Sequence, residues 1–454
     1  MNVNKRTINL IFSITLMLCA IIYSVYPGLD DDYILIAVIS LLIYSGCLFS
    51  SIVFFGHLQV INIFLYTVGI FIYGRVISYV IDKDYNYYDV TMFVSTIIKP
   101  VEAKALLSMS SMVLSGVYFG YSFCSSVFER KNIKQQLKSK IKIPAKTISF
   151  IILCMMLPYI LTGVISTING GYLSFYMENI RLQESGSIIP SLYSFAITLT
   201  VIFLSFSIHS EDNNRINVYL FLLFINALLL TIVGQRGPII SFVLFYLWYR
   251  NSYVKEVGVA KFLIFSAVCI ILSQALLFFR ADFTAGSETP ISMLAKFMYQ
   301  QGVTLHTIFF TKYIDNYPVY LKLQSFIPGS VQLYSLFNPD EVIYGSSSAL
   351  LSSSLNSSLF EAGYGVGWSI FSDLLLISDR EPILIILFSM AFGGLIFVSD
   401  IKSKRNVFIT SIGVILAYRI GFLPRAGLNG VFPLIIYSFI IIIFFGLLKK
   451  ASKK

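Results

Sequence analysis

The sequence predicts an all-α protein that crosses a membrane about twelve times. Three observations carry this. The 454 residues are 57% hydrophobic and only 12% charged, more apolar side chain than a water-soluble domain buries. The apolar residues fall in long continuous runs suited to helical spans, not in the short alternation of a β-barrel. Lys and Arg concentrate in every second connection between runs, the pattern of an oriented membrane protein. That distribution accounts for the net charge of +10 without a nucleic-acid surface. The five cysteines (Cys19, Cys47, Cys124, Cys154 and Cys269) all lie in apolar runs. They form neither a disulfide framework nor a metal-ligand spacing.

The runs, in order, are roughly 7–26, 33–55, 60–81, 105–128, 147–168, 190–208, 216–233, 238–249, 262–279, 383–399, 407–423 and 430–448. The first follows Lys5-Arg6 with no small-residue cleavage site, as in a retained anchor rather than a signal peptide. The eighth is short and opened by Pro238, which suits a tilted span or a half-helix entered from the turn at 234–237. The side facing Lys5-Arg6 also holds 129–146, 209–215, 250–261, 400–405 and the Lys-rich tail. It collects most of the Lys and Arg and few of the acids, which places both termini in the cytoplasm. Three regions follow. Residues 1–279 carry nine spans with short loops, 280–382 form one large outer loop, and 383–454 carry three spans and the basic tail.

A loop of that length is usually functional. Within it, 290–310 reads as an amphipathic helix suited to the membrane surface. Residues 326–329 read as a turn and 345–358 are Ser-rich. Residues 363–368 form a Gly/aromatic turn leading into 369–377, an apolar stretch too short to span and shaped for re-entry.

Arginine is normally kept out of the outer face, yet Arg181, Arg236, Arg280, Arg380, Arg419 and Arg425 all fall there. Guanidinium is planar, always charged and suited to bidentate phosphate binding. Gly234 and Gly237 flank Arg236 and allow a tight turn or close ligand approach. Arg280 follows its span at headgroup depth, and Arg419 and Arg425 bracket Phe422-Leu423-Pro424. The competing reading is that arginines at span ends snorkel to lipid phosphates. Arg75 lies inside the third span and suits a helix contact with an acid. Arg380, between Asp379 and Glu381, reads as a surface ion pair.

Of three histidines, His57 and His209 read as solvated residues of cytoplasmic connections. His306 lies in the large loop, where an imidazole is matched to proton transfer near neutral pH. The loop carboxylates are Asp282, Glu341, Glu361 and Asp373, and Glu361 is the strongest because it precedes the Gly/aromatic turn. Tyr334, Tyr344, Tyr364 and Trp368 offer flat faces for sugar rings, although interfacial belts use the same residue types. No nucleophile elbow, phosphate-binding loop, dinucleotide fingerprint or metal cluster is present in the sequence.

Together these residues resemble a Wzy-type O-antigen or oligosaccharide repeat-unit polymerase. The likeness is architectural along the full length: about twelve spans, cytoplasmic termini and one dominant outer loop late in the chain. Locally it rests on Gly234-Gln235-Arg236-Gly237 with the apolar run after it, on Arg280 through Gln301-Gly302, and on Asn356 through Gly367-Trp368-Ser369. Arg419 to Gly430 also fits an Arg-x10-Gly spacing described for some members, which the other outer arginines lack.

The resemblance implies a GT-C-like, ligase-like polymerase architecture in the bacterial inner membrane. It implies a metal-independent glycosyltransferase with no cofactor. The donor is a growing glycan on undecaprenyl pyrophosphate and the acceptor a lipid-linked repeat unit. Further partners are membrane lipids and the chain-length regulator and flippase of the same pathway, with no nucleic acid. In that scheme Arg236 and Arg280, with Arg419 or Arg425, hold the pyrophosphate. His306 or Glu361 is the base, and Tyr364 and Trp368 meet the sugars. An O-antigen ligase, which moves the glycan onto lipid A core, would use the same donor grip. A lipid-linked oligosaccharide flippase would carry charges along the middle of several spans and internal repeats, and the spans here hold almost no carboxylate.

Overall fold

The computed structural model describes residues 3–26, 28, 32–91, 93–128, 145–171, 174–175, 178, 181–182, 187–233, 235, 237–265, 267, 290–342, 344–401 and 406–451. Its helices are α1 (Val3–Val25), α2 (Tyr33–Phe55), α3 (Val60–Phe71), α4 (Gly74–Ile81), α5 (Pro100–Val127), α6 (Ala145–Gly170), α7 (Ile189–His209), α8 (Asn213–Ile232) and α9 (Gly237–Tyr249). The region 280–382 adds α10 (Pro290–Gln301), α11 (Thr304–Phe310), α12 (Val319–Gln324), α13 (Ser330–Phe337), α14 (Ser347–Leu355), α15 (Ser357–Glu361) and α16 (Ile370–Ile377). The last are α17 (Pro382–Ser399), α18 (Val407–Ile420) and α19 (Phe432–Ala451). One antiparallel hairpin, Asp89–Val90 with Thr96–Ile97, interrupts the helices, in register Asp89 with Ile97.

Among the described residues, seven helices are long and apolar enough to cross a membrane: α1, α2, α5, α6, α7, α8 and α17. Where the hydropathy pattern suggests one straight span over 60–81, the chain breaks into α3 and α4, bent by 58°. Counted as one broken span, this pair makes eight. The break follows from Gly74, a poor helix-interior residue, and from a wide last turn of α3, in which Tyr73 N–H reaches back to Val68 O at 3.1 Å. Helix α9 has 13 residues and is about 20 Å long, short of the roughly 30 Å hydrocarbon core. Helix α18 and the apolar stretch Leu428–Phe444 are likewise below span length. Most of the stretch expected at 262–279 lies outside the described residues.

The chain divides into two compact units. The first gathers Met1–Glu129, Arg250–Phe397 and Phe422–Gly430. Its central helix is α5, against which α1 and α2 pack. Small residues let α5 and α17 meet backbone to backbone: a Cβ at Gly120 would run into Met390 O, and one at Gly393 into Val117 O. Many buried hydroxyls bond locally or across helices, as where Tyr118 donates to Asn9 Oδ1 at 2.6 Å.

The second unit gathers Arg130–Tyr249, Val398–Gly421 and Val431–Lys454. Helix α7 packs on α6, α8 and α18. A 2.7 Å hydroxyl pair, Ser205 with Ser411, joins α7 to α18. Tyr193 donates to Asn226 Oδ1 at 3.0 Å, with its ring stacked 4.3 Å from that of Tyr159.

The stretch 290–310 is two helices rather than one. It breaks at Gly302, and every residue of α11 is buried. The cause is a close crossing of α10 with α4. A Cβ on Gly302 would collide with the backbone N of Arg75, and one on Gly74 would stand 2.5 Å from Met298 O. Only glycine lets the two backbones approach this closely.

Candidate functional site

In the first unit, the bend between α3 and α4 presents Arg75 to α10 and α11. The side chain is 5% exposed, and a buried cation requires compensation. Its Nε donates to Tyr299 O at 3.3 Å, and its guanidinium lies 4.2 Å from the Tyr299 ring centroid. Its Nη1 stands 2.8 Å from Nδ1 and 3.0 Å from Nε2 of His306. The expected acid partner is replaced by this imidazole. His306 is 1% exposed, and its Nε2 lies 2.8 Å from Tyr87 O. A carbonyl only accepts and arginine only donates. Nε2 therefore carries the proton toward Tyr87, and Nδ1 accepts from Arg75. Burial, reinforced by the Arg75 cation, pushes the His306 pKa down to about 3.

From His306 a continuous set of contacts runs through the same unit. Thr307 donates to Val366 O at 2.8 Å, tying α11 to the Gly/aromatic turn. That turn uses Gly363 at φ 88° and Gly367 at φ 76°, conformations that favour glycine. It delivers Trp368, whose Nε1 donates to Asp373 Oδ1 at 2.7 Å. Asp373 Oδ2 accepts from Leu428 N at 2.6 Å. Ser369, the N-cap of α16, donates from Oγ to Pro424 O at 2.8 Å. Arg425, exposed on the same segment, holds its guanidinium 5.9 Å from the Phe71 ring. Phe71 ends α3, so the circuit closes on the bend that carries Arg75. Burial pushes the Asp373 carboxyl up to about 6, against the pull of its hydrogen bonds from Trp368 and Leu428.

Charged straps hold the helices that follow α11 around this circuit. Lys312 pairs with Glu102 at 2.7 Å, at the start of α5, and Lys322 pairs with Asp379 at 2.9 Å. Arg380 does not form the expected surface ion pair with its neighbours. From a left-handed backbone (φ 62°) its Nη2 donates to Thr311 O at 2.5 Å and Ile314 O at 3.1 Å, closing the end of α11.

A family model described as O-antigen polysaccharide polymerase Wzy matches residues 7–453. The chain belongs to that family. Comparison with the curated proteins and with the solved structures found no match. Wzy proteins polymerise O-antigen repeat units in polysaccharide biosynthesis, and the apolar helices make this one a multi-pass membrane protein.

The arginines of this Wzy chain fall into three settings. Arg236 and Arg280 lie outside the described residues, as does Asp282. Arg419 belongs to the second unit, at the end of α18. Its Nε is buried with no hydrogen-bond partner among the described residues, and its guanidinium is 5.5 Å from the Tyr418 ring. Arg425 belongs to the first unit.

Of the two candidate bases, His306 is enclosed and already bonded on both ring nitrogens. Glu361 is exposed at the end of α15, and its carboxylate bonds to nothing among the described residues. Of the aromatic faces, Tyr364 is 50% exposed, whereas Trp368 is buried with its ring stacked 6.4 Å from Tyr317. Neither remaining histidine is simply solvated: His57 Nε2 donates to Val257 O at 2.8 Å, and His209 Nδ1 lies 3.3 Å from Thr410 Oγ1.

Sequence reasoning missed Tyr87, Tyr299 and Leu428, which act through backbone groups or a ring and have no spacing to betray them. It ranked Asp373 below Glu361. The available signal was a lone carboxylate within the apolar run 369–377.

Proposed function

We propose that this Wzy chain polymerises undecaprenyl-pyrophosphate-linked repeat units at the periplasmic face of the bacterial inner membrane. In this reading both termini are cytoplasmic, about twelve segments traverse or enter the bilayer in a GT-C-like arrangement, and the region 280–382 faces the periplasm. The observation that carries the reading is the family match over nearly the whole chain.

The acceptor is the sugar hydroxyl of a lipid-linked unit. Its oxygen attacks the anomeric carbon of the donor glycan and forms the new glycosidic bond. The bond from that carbon to the pyrophosphate oxygen breaks, and undecaprenyl pyrophosphate leaves with the electron pair. The hydroxyl proton passes to Glu361, an accessible carboxylate. Arg236, Arg280, Arg419 and Arg425 neutralise the charge growing on the pyrophosphate. This is electrostatic stabilisation of a leaving group, and it calls for no metal. His306 acts through Arg75 as a positioning residue, because both its nitrogens are engaged. Tyr364 offers its face to a sugar ring, and Trp368 braces the turn that carries it.

Arg236 is the sharpest test. In a deletion strain complemented with Arg236→Ala or Arg236→Lys, long polysaccharide chains are expected to disappear with alanine and to shorten with lysine. Lysine keeps the charge but loses the bidentate fork. Normal long chains in both variants, at normal protein level, would remove Arg236 from the mechanism.

A further inference from the structure

We propose that Asp373 is a positioning residue that sets where Arg425 presents its guanidinium. The inference rests on the reading that Arg425 grips the pyrophosphate.

The argument starts from an oddity of α16. Asp373 is 1% exposed and has no ion-pair partner among the described residues. An ionised carboxylate in that position is costly, and an apolar residue would pack there at less expense. Its oxygens do one thing an apolar side chain cannot. Oδ1 accepts from Trp368 and Oδ2 from the backbone of Leu428, joining the Gly/aromatic turn to a segment 55 residues away in sequence.

Arg425 lies between two such anchors. One residue before it, Pro424 O accepts from Ser369 Oγ at 2.8 Å. Three residues after it, Leu428 N donates to Asp373. Between the anchors the backbone is pressed against the latch. A Cβ at Gly427 would stand 2.8 Å from Asp373 Oδ2 and 3.0 Å from Trp368 Cδ1. The result is an exposed cation on a tightly held backbone. Such preorganisation places charge where a transition state develops it, with little reorganisation at the moment of reaction.

The substitution Asp373→Asn keeps the size of the side chain. One amide oxygen replaces two carboxylate oxygens, so Trp368 Nε1–H and Leu428 N–H cannot both be accepted as before. The assay uses full-length protein in proteoliposomes, with lipid-linked repeat units extracted from a strain lacking the polymerase. D373N and R425A are each expected to lower kcat at least about tenfold. The double variant is expected to be no slower than R425A by more than about twofold, because both changes remove one function. D373N is expected to elute and melt like the parent.

A D373N kcat within about twofold of the parent overturns the inference. So does a D373N loss that multiplies with R425A, or one that matches a loss of folded protein. If R425A itself keeps the parental rate, the pyrophosphate role of Arg425 fails. That result differs from a slow R425A beside a normal D373N, which removes only the role of Asp373. If D373N does not accumulate, S369A carries the same comparison from the other anchor.

Discussion

Arg75 and His306 are 231 positions apart in sequence, yet each defines the state of the other. The imidazole stays neutral so that it can accept from the guanidinium, and the guanidinium helps to keep it neutral. His306 takes up a proton far less readily in the folded chain than in the unfolded one. Its share of stability is therefore present above about pH 6.5 and is lost as pH falls toward about 3, by about 2 kcal/mol at pH 5. The substitution His306→Gln retains an acceptor but removes the proton uptake. Thermal unfolding in detergent between pH 7.5 and pH 5 is expected to show the parent losing stability relative to H306Q as pH drops. Parallel curves would contradict the assignment.

At this scale the sequence singled out residues but not their partners. An arginine within a span and a histidine in the outer loop both stood out. That they bond to each other could not be read from spacing. Asp373 was visible as a carboxylate in apolar surroundings, but its donors come from an indole and a backbone amide. Trp368 read as a sugar platform because an aromatic ring presents a flat apolar face with a polar edge. Here the indole N–H found a buried acceptor and the ring turned inward.

Among elements, the contact of α4 with α10 and α11 depends on two glycines that face each other. Gly302→Ala would drive a methyl group into the Arg75 backbone and is expected to cost about 3 kcal/mol or more. Gly345→Ala, where a Cβ meets nothing within 4 Å, is the control and is expected to leave the melting temperature nearly unchanged. Equal melting of the two variants would show that the crossing is looser than described. Hydropathy placed α2 at its observed bounds, because a long uniform run leaves no choice. It drew 60–81 as one span and 290–310 as one helix, because an apolar average is blind to a single glycine at which two backbones touch.

For the molecule as a whole, removal of the gene gives the broadest test of polymerase against ligase. Loss of a polymerase is expected to leave single repeat units on lipid A core, seen as one short band on a polysaccharide gel. Loss of a ligase would leave core with no O-antigen at all. The membrane class was legible from composition, since no other architecture accommodates so apolar a chain. The grouping into units was not, because the first unit gathers the N-terminal segment, a long stretch after residue 250 and the short piece Phe422–Gly430, and hydropathy is a local quantity. The bond between Arg75 and His306 has a consequence for inheritance. Replacing 290–381 by a different sequence separates the imidazole from its arginine unless the new segment brings its own acceptor to Arg75. Segments 72–97 and 290–381 are therefore expected to be exchanged together or not at all, two parts of one block that the chain order separates.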